Sequence, residues 1–217
     1  ELEMMGITTS EIRVIPDEKS IIIYSVNELR NKNNYLFTTG GIGPTHDDIT
    51  ADSIAEAFGV DLEVNSEAYD ILKKYYKAIG SEFNEVRQRM ARIPIGATLI
   101  KNPISAAPGF KIDNVFVFAG IPKIMKSMLD NSLNFLNKGN LIHTITVKVD
   151  AVEGDIAPVL KSLNDENENI KIGSYPFFNS DRDFGVNVVI KSLDKEFLTL
   201  TEEKFKNYLS KNSFNYN

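Results

Sequence analysis

Cysteine is absent from this chain of 217 residues, and histidine occurs only at His46 and His143. Without cysteine there can be no disulfide, no thiolate nucleophile and no cysteine-ligated zinc. Two histidines cannot build a multi-histidine metal site, so any metal must rest on carboxylates, carbonyls and water, the ligands of magnesium-like ions. Positive charge is also short: 24 Lys and Arg stand against 30 Asp and Glu, a formal net charge of −6. That balance disfavours nucleic acid and anionic lipid as partners, although a local basic cluster can still hold one small anionic ligand. No run approaches the roughly 20 apolar residues of a membrane-spanning helix. The opening Glu1-Leu2-Glu3-Met4-Met5 lacks the basic segment and apolar stretch of a secretory signal. A cytoplasmic protein with no membrane partner is therefore expected.

The apolar residues that are present fall in an α/β order. Glu11-Ile12-Arg13-Val14-Ile15 alternates like a strand, Pro16-Asp17 turns the chain, and a helical segment runs to about Asn31. Tyr35-Leu36-Phe37-Thr38-Thr39 reads as a short buried strand that ends in Gly40-Gly41. Thr50 to Phe58 follows as a helix stopped by Gly59, and Ser66 to Met90 has helical spacing with a break near Gly80. Ala106 to Ile112 and Val115 to Ala119 read as strands joined by an Asp113-Asn114 turn, and Pro122 opens a helix to about Leu136. This order predicts a doubly wound, mostly parallel α/β sheet over residues 1–137. Lys138-Gly139-Asn140 is the candidate boundary. From 141 to 217 the pattern is strand (141–149), helix (153–164), two strands (170–176 and 185–191) and helix (195–209), a second, smaller α+β domain.

The candidate site is the loop Gly40-Gly41-Ile42-Gly43-Pro44-Thr45-His46-Asp47-Asp48. A phosphate needs backbone N–H donors unobstructed by side chains, and the positive end of a following helix adds to them. Gly40, Gly41 and Gly43 supply such backbone, in a spacing that is neither the dinucleotide fingerprint nor the Walker loop; a tight turn alone would also use these glycines. Asp47 and Asp48 place two negative groups beside a bound phosphate, a conflict that Mg²⁺ or another divalent cation would resolve. The competing reading is helix capping, in which an aspartate or Thr50 accepts the first free N–H groups. Asp17 by itself reads as a turn and cap residue. His46 reads as a solvent-facing residue able to donate to a phosphate or move a proton. Arg87, Arg89 and Arg92 gather ahead of Pro94; as a group they read as a solvated face, but one inside the cleft would make a bidentate phosphate clamp.

Thr38-Thr39-Gly-Gly-Ile-Gly-Pro-Thr-His-Asp-Asp-Ile-Thr-Ala-Asp52 resembles the signature loop of the molybdopterin-binding (MoaB/Mog-like) domain. Its wording is nearest to the branch formed by the N-terminal part of CinA-type competence/damage-inducible proteins and the pterin-binding-like part of FAD synthases. Phe83-Asn84 with Arg89, Asn102-Pro103 with Ala106-Ala107-Pro108-Gly109-Phe110, and Ala119-Gly120-Ile121-Pro122-Lys123 extend the resemblance over about residues 1–137. The resemblance implies that Asp17 and Asp48 flank a phosphate site, with Asp47 a mark of the CinA-like branch, and that Asp48, Asp47 and Asp17 carry the chemistry. It further implies ligand contacts from Gly40, Gly41, Gly43, Thr45, His46, Asn84, Arg89, Gly109, Gly120 and Pro122, with metal on Asp47 and Asp48. The implied activity is divalent-metal-dependent hydrolysis of a nucleotide pyrophosphate such as ADP-ribose or FAD. The alternatives are binding or adenylation of molybdopterin in cofactor assembly, or nucleotide binding without turnover. A homodimer or trimer is expected from the relatives. Such domains begin with a strand and a Gly-Asp-Glu loop that has no counterpart here, so the chain is expected to lack its first strand. The second domain loosely resembles the KH-like domain of CinA-type proteins. It lacks a Gly-x-x-Gly loop and carries nine basic against twelve acidic residues, which suits packing or dimerisation better than RNA.

Overall fold

Ile22, Ser25 and Val26 lie on one side of a 3.6-residue spiral, and they are the buried residues of helix α1 (Lys19–Lys32). The computed structural model, which describes every residue except Lys138, Asp181 and Arg182, continues with β1 (Leu36–Thr39), α2 (Thr50–Phe58), β2 (Leu62–Val64), α3 (Ser66–Ala78), the single turn α4 (Glu85–Gln88), β3 (Arg92–Pro94), β4 (Thr98–Ile100), β5 (Gly109–Ile112), β6 (Val115–Phe118) and α5 (Pro122–Ser132). Four strands form one sheet in the order β1-β6-β5-β4. The parallel relation is that of β1 with β6, Leu36 opposite Val115 and Thr39 opposite Phe118; β5 joins β6, and β4 joins β5, in antiparallel fashion. Val115, Phe116, Val117 and Phe118 are all buried, which explains why β6 is an unbroken apolar run. The rings of Phe37 and Phe116 stack at 5.0 Å across the parallel pair.

The β5–β6 turn is the expected one at Asp113-Asn114. Asp113 adopts a left-handed φ of 50°, and the Asn114 amide donates to the carbonyls of Arg30 (2.9 Å) and Asn33 (3.0 Å), anchoring the turn to the end of α1. β2 and β3 pair with each other as a separate antiparallel ribbon.

Glu11–Ile15, whose alternation predicts a strand, is not one. The segment joins no ladder among the described residues, and Ile12 and Val14 face solvent at 86% and 95% exposure. It is held by Arg13, which donates to Glu28 of α1 at 2.8 Å, and by Ile15, which packs against the core. Alternation marks a residue pair facing inward; pairing also needs an open neighbouring strand.

Residues Ser10–Asn137 form one compact unit, and Lys138–Asn217 with Glu1–Thr9 form the other. Reading the sequence assigns residues 1–9 to the first domain. In the structure they run with the second, where the Met5 carbonyl accepts from the Gly139 N–H at 2.8 Å and the Gly6 backbone lies against Gly139 and Asn140. The second unit contains β7 (His143–Val149), α6 (Glu153–Asp165), β8 (Ile170–Ser180), β9 (Asp183–Ser192) and α7 (Lys195–Lys211). Its antiparallel sheet has the order β7-β9-β8, and Val147, Val188 and Ile190 share a core with Ile156 of α6 and Phe205 of α7. Asp194 caps α7 through the N–H groups of Glu196 (2.8 Å) and Phe197 (3.3 Å). The fold is thus α/β with a smaller α+β unit, as expected. No helix among the described residues is long and apolar enough to cross a membrane.

Two expectations about stability follow. Asn114→Ala strands two carbonyls at the β5–β6 turn and is expected to cost about 1–3 kcal/mol in denaturant unfolding; a loss within error of zero would contradict the anchoring role. The hydrogen bonds from Arg13 and Lys32 hold the Glu28 carboxyl down from 4.5 to about 2. A carboxyl with a lowered folded pKa stabilises above its unfolded value and loses that contribution as pH falls through the folded one. The melting-temperature advantage of wild type over Glu28→Gln should therefore shrink between pH 4.5 and about 2; a gap that stays constant with pH would contradict this.

Candidate functional site

The loop begins where the parallel pair ends. Gly40 donates its N–H to the Phe118 carbonyl at 2.9 Å, and Gly40 and Gly41 then take φ values of 97° and 66°, open to glycine without strain. A side chain on Gly41 would collide with the Thr50 side chain at the start of α2, whose N–H donates to the Gly41 carbonyl at 2.9 Å. A methyl on Gly43 would sit 2.6 Å from the Asp48 Oδ2. These glycines let the loop fold back on itself, in addition to leaving backbone accessible.

Asp48 does not cap the helix. Its Oδ2 accepts from the Thr45 N–H at 2.8 Å and from the Thr45 hydroxyl at 2.6 Å, clasping the turn. Ile49 occupies the N-cap of α2 with no side-chain hydrogen bond, so neither aspartate nor Thr50 serves there.

Gly41, Ile42, Gly43, Asp48, Arg89 and Arg92 line one narrow cleft of about 10 Å³, with Met90 and Phe110 on its apolar side. Of the three clustered arginines, Arg87 turns away: it donates to the Glu82 carbonyl and lies 4.5 Å over the Tyr76 ring. Arg92 is held end-on by Asp52, with contacts of 2.9 and 3.2 Å. The Nε atoms of Arg89 and Arg92 are buried without a partner in the protein. Sequence reasoning placed Arg92 in the arginine group but missed its selection by Asp52, a residue forty positions away that helical pattern alone does not single out.

The remaining candidates sit around this cleft or apart from it. Asp47 is exposed, and its carboxyl is held below the usual carboxylate range first by the Thr45 hydroxyl, which it shares with Asp48, then by its own backbone N–H, and least by His46, 4.0 Å away. The His46 side chain is fully open to solvent. Asp17 lies exposed in the bend before α1 and is not among the residues lining the cleft. Asn84 caps α4, accepting from the Arg87 N–H at 3.1 Å. Gly109 is buried where a Cβ would strike the Val117 carbonyl, a packing requirement of β5 on β6. Gly120 allows the approach of Gly40, since its Cβ would lie 3.2 Å from the Gly40 Cα. Pro122 begins α5 at its first turn.

Comparison with known families gives this geometry a context. Residues 1–138 match the model described as "Probable molybdopterin binding domain". This chain belongs to the molybdopterin-binding-domain family. Residues 141–217 of this family member match a second model, "FAD synthase, middle domain". It is similar to a protein of Archaeoglobus fulgidus, 34% identical over 176 residues that span 81% of this chain and 74% of that protein. It is also similar to one of Pyrobaculum arsenaticum, 31% identical over 185 residues spanning 81% and 70%. Among solved structures it is similar to the protein CinA, of unknown function, from Thermoplasma acidophilum, with a TM-score of 0.56 and 28% identity over 62% of this chain and 81% of that one. The CinA-like character read from the loop is therefore carried by the fold as well.

The loop geometry predicts unequal costs for two similar substitutions. Gly59 also has a positive φ, of 64°, but its Cβ would meet nothing. Gly41→Ala, which adds the collision with Thr50, should lose more stability than Gly59→Ala, by about 1 kcal/mol or more; equal losses in denaturant unfolding would mean that the loop does not close on α2.

Proposed function

We propose that this member of the molybdopterin-binding-domain family hydrolyses a nucleotide pyrophosphate of the ADP-ribose or FAD class with the help of a divalent cation. The observation that carries the reading is that the Asp48 carboxylate and the glycine-loop backbone border the same cleft, one acidic and the other suited to phosphate. A phosphate on the N–H groups near Gly41 and Gly43 would be repelled by Asp48 unless a cation stood between them. The donor set fits Mg²⁺. Among the described residues no three acidic or histidine side chains converge, and Mg²⁺ commonly needs only one or two carboxylates, completed by water and substrate phosphates. Asp48 and Asp47 would hold it, and when bound it would polarise a phosphoryl oxygen and orient water.

The side chains divide the remaining work. Thr45 fixes the direction of the Asp48 carboxylate, and the lowered Asp47 remains ionised at neutral pH. Met90 and Phe110 keep one wall of the cleft apolar, which strengthens electrostatic contacts within it. Of the three aspartates Asp48 alone lines the cleft, so it carries the main role; Asp47 stands next to it in the loop and assists, and Asp17 lies in the bend before α1. The match of residues 141–217 to an FAD-synthase domain supports a flavin or adenine nucleotide as the ligand class. The family description of residues 1–138 supports a second reading, in which the same loop binds the phosphate of molybdopterin.

The full chain incubated with ADP-ribose, FAD or NADH is expected to release AMP with Mg²⁺ and not with EDTA. Asp48→Ala should lower that rate by about 10²-fold or more, the scale seen when one electrostatic contributor is removed. Nucleotides that stay intact with every divalent ion tried, alongside binding of molybdopterin, would replace this reading with the second.

A further inference from the structure

We infer that the open edge of β8 joins two copies of this chain, with Ile172 and Ser174 of one protomer paired antiparallel to Ser174 and Ile172 of its partner. This stands apart from the hydrolase reading. The two edges of the β7-β9-β8 sheet are treated differently. Beside β7 the end of the chain closes the edge: Lys148 and Asn217 each donate an N–H to the other's carbonyl at 3.0 Å, and the Asp150 N–H donates to the Asn215 carbonyl at 2.9 Å. Beside β8 the closure is partial. In an antiparallel ladder, alternate residues turn their N–H and C=O groups to the same side. The Ile170 N–H goes to the Asn167 carbonyl (3.0 Å) and the Ile172 N–H to the Asn164 side chain (3.2 Å), so positions 170, 172, 174 and 176 face away from β9. Pro176 has no N–H to offer. The Ser174 N–H and the carbonyls of Ile172 and Ser174 are therefore left at the edge of a strand of 11 residues, an edge of the kind that recruits another strand.

The occupant is a second copy because the edge complements itself. Pairing Ile172 with the partner's Ser174, about a two-fold axis at Gly173, uses both outward N–H groups of each protomer and leaves Pro176 outside the rungs. Centring on Ser174 instead would set Pro176 opposite Ile172 and lose a bond on each side. Asn164 is exposed, so Ile172 exchanges that side chain for the partner's carbonyl at little cost. Alongside the edge, Glu153, Ala157 and Lys161 occupy successive turns on one exposed face of α6 and line an open hollow with Ile172 and Ser174. Glu153 stands at the Ser174 end, where it accepts from that hydroxyl, and Lys161 lies two turns along, towards Asn164 and Ile172. The two-fold sets Ser174 beside the partner's Ile172 and so turns each Glu153 toward the partner's Lys161, with the small Ala157 between them. On the outer face the same register puts the exposed Lys171 opposite the partner's Tyr175, a ring 57% exposed in the single chain. A foreign strand would supply the backbone bonds but not these charge and ring pairs.

The test is sedimentation equilibrium of the full chain, read as the dimer dissociation constant. Glu153→Lys and Lys161→Glu each place like charges across the seam and should raise that constant by about tenfold or more. An equimolar mixture of the two variants restores opposite charges in the heterodimer and should recover the wild-type affinity, which a folding defect would not allow. In hydrogen exchange the Ser174 amide of wild type should slow as concentration rises. Wild type that stays monomeric at high micromolar concentration, a dimer that neither variant weakens, a mixture no tighter than its parts, or a Ser174 amide indifferent to concentration overturns the seam.

Discussion

The hydrogen bond from the Gly40 N–H to the Phe118 carbonyl is the last rung shared by β1 and β6, and the site is built outward from it. Because it holds the two strand ends together, Gly40 and Gly120 must pass each other with no side chain between them. The chain then needs two consecutive left-handed residues to reverse direction, and glycine supplies them without strain. From that point the Gly41 carbonyl receives the Thr50 N–H, so the position of α2 depends on the exit from the sheet. A half-buried strand paired with a fully buried apolar one therefore fixes where a polar loop can lie.

Within the loop, local bonds determine which groups are left for a ligand. Thr45 spends two donors on one oxygen of Asp48, which orients the carboxylate toward the cleft instead of toward the helix end. Asp52 does the same for Arg92 from the first turn of α2, while Arg87 is drawn off by a ring and a carbonyl. The cleft is thus lined by a clasped acid and by two arginines, and the proposed pairing of an anion with a cation rests on that combination. An anion by itself would meet the acid; a cation by itself would meet the arginines.

Much of this was legible in the sequence, and the failures have physical reasons. The glycine loop, its following helix and the Asp113-Asn114 turn were readable because each depends on residues adjacent in the chain. β2, β3 and β4 are three residues each, too short for alternation to register. Glu11–Ile15 has the alternation without the pairing, because a periodic pattern records which side chains turn inward and not whether a strand lies alongside. Among the family positions, Gly109, Gly120 and Asn84 also have packing or capping roles, which depend on neighbours that the motif does not name. The choice among three arginines could not be read, since it rests on Asp52, forty residues from Arg92, and on how the turn after α3 brings Tyr76 and Glu82 to Arg87.

The central claim, that the ligand sits on the strand-end loop and not elsewhere, is most directly tested by amide chemical-shift mapping of the full chain on addition of ADP-ribose with a divalent ion. The account predicts shifts concentrated at residues 40–48 and 89–92. An open hollow lined by Glu153, Lys161 and Ser174 in the second unit is the competing location. Shifts confined to that hollow, with the glycine loop unmoved, would contradict the account.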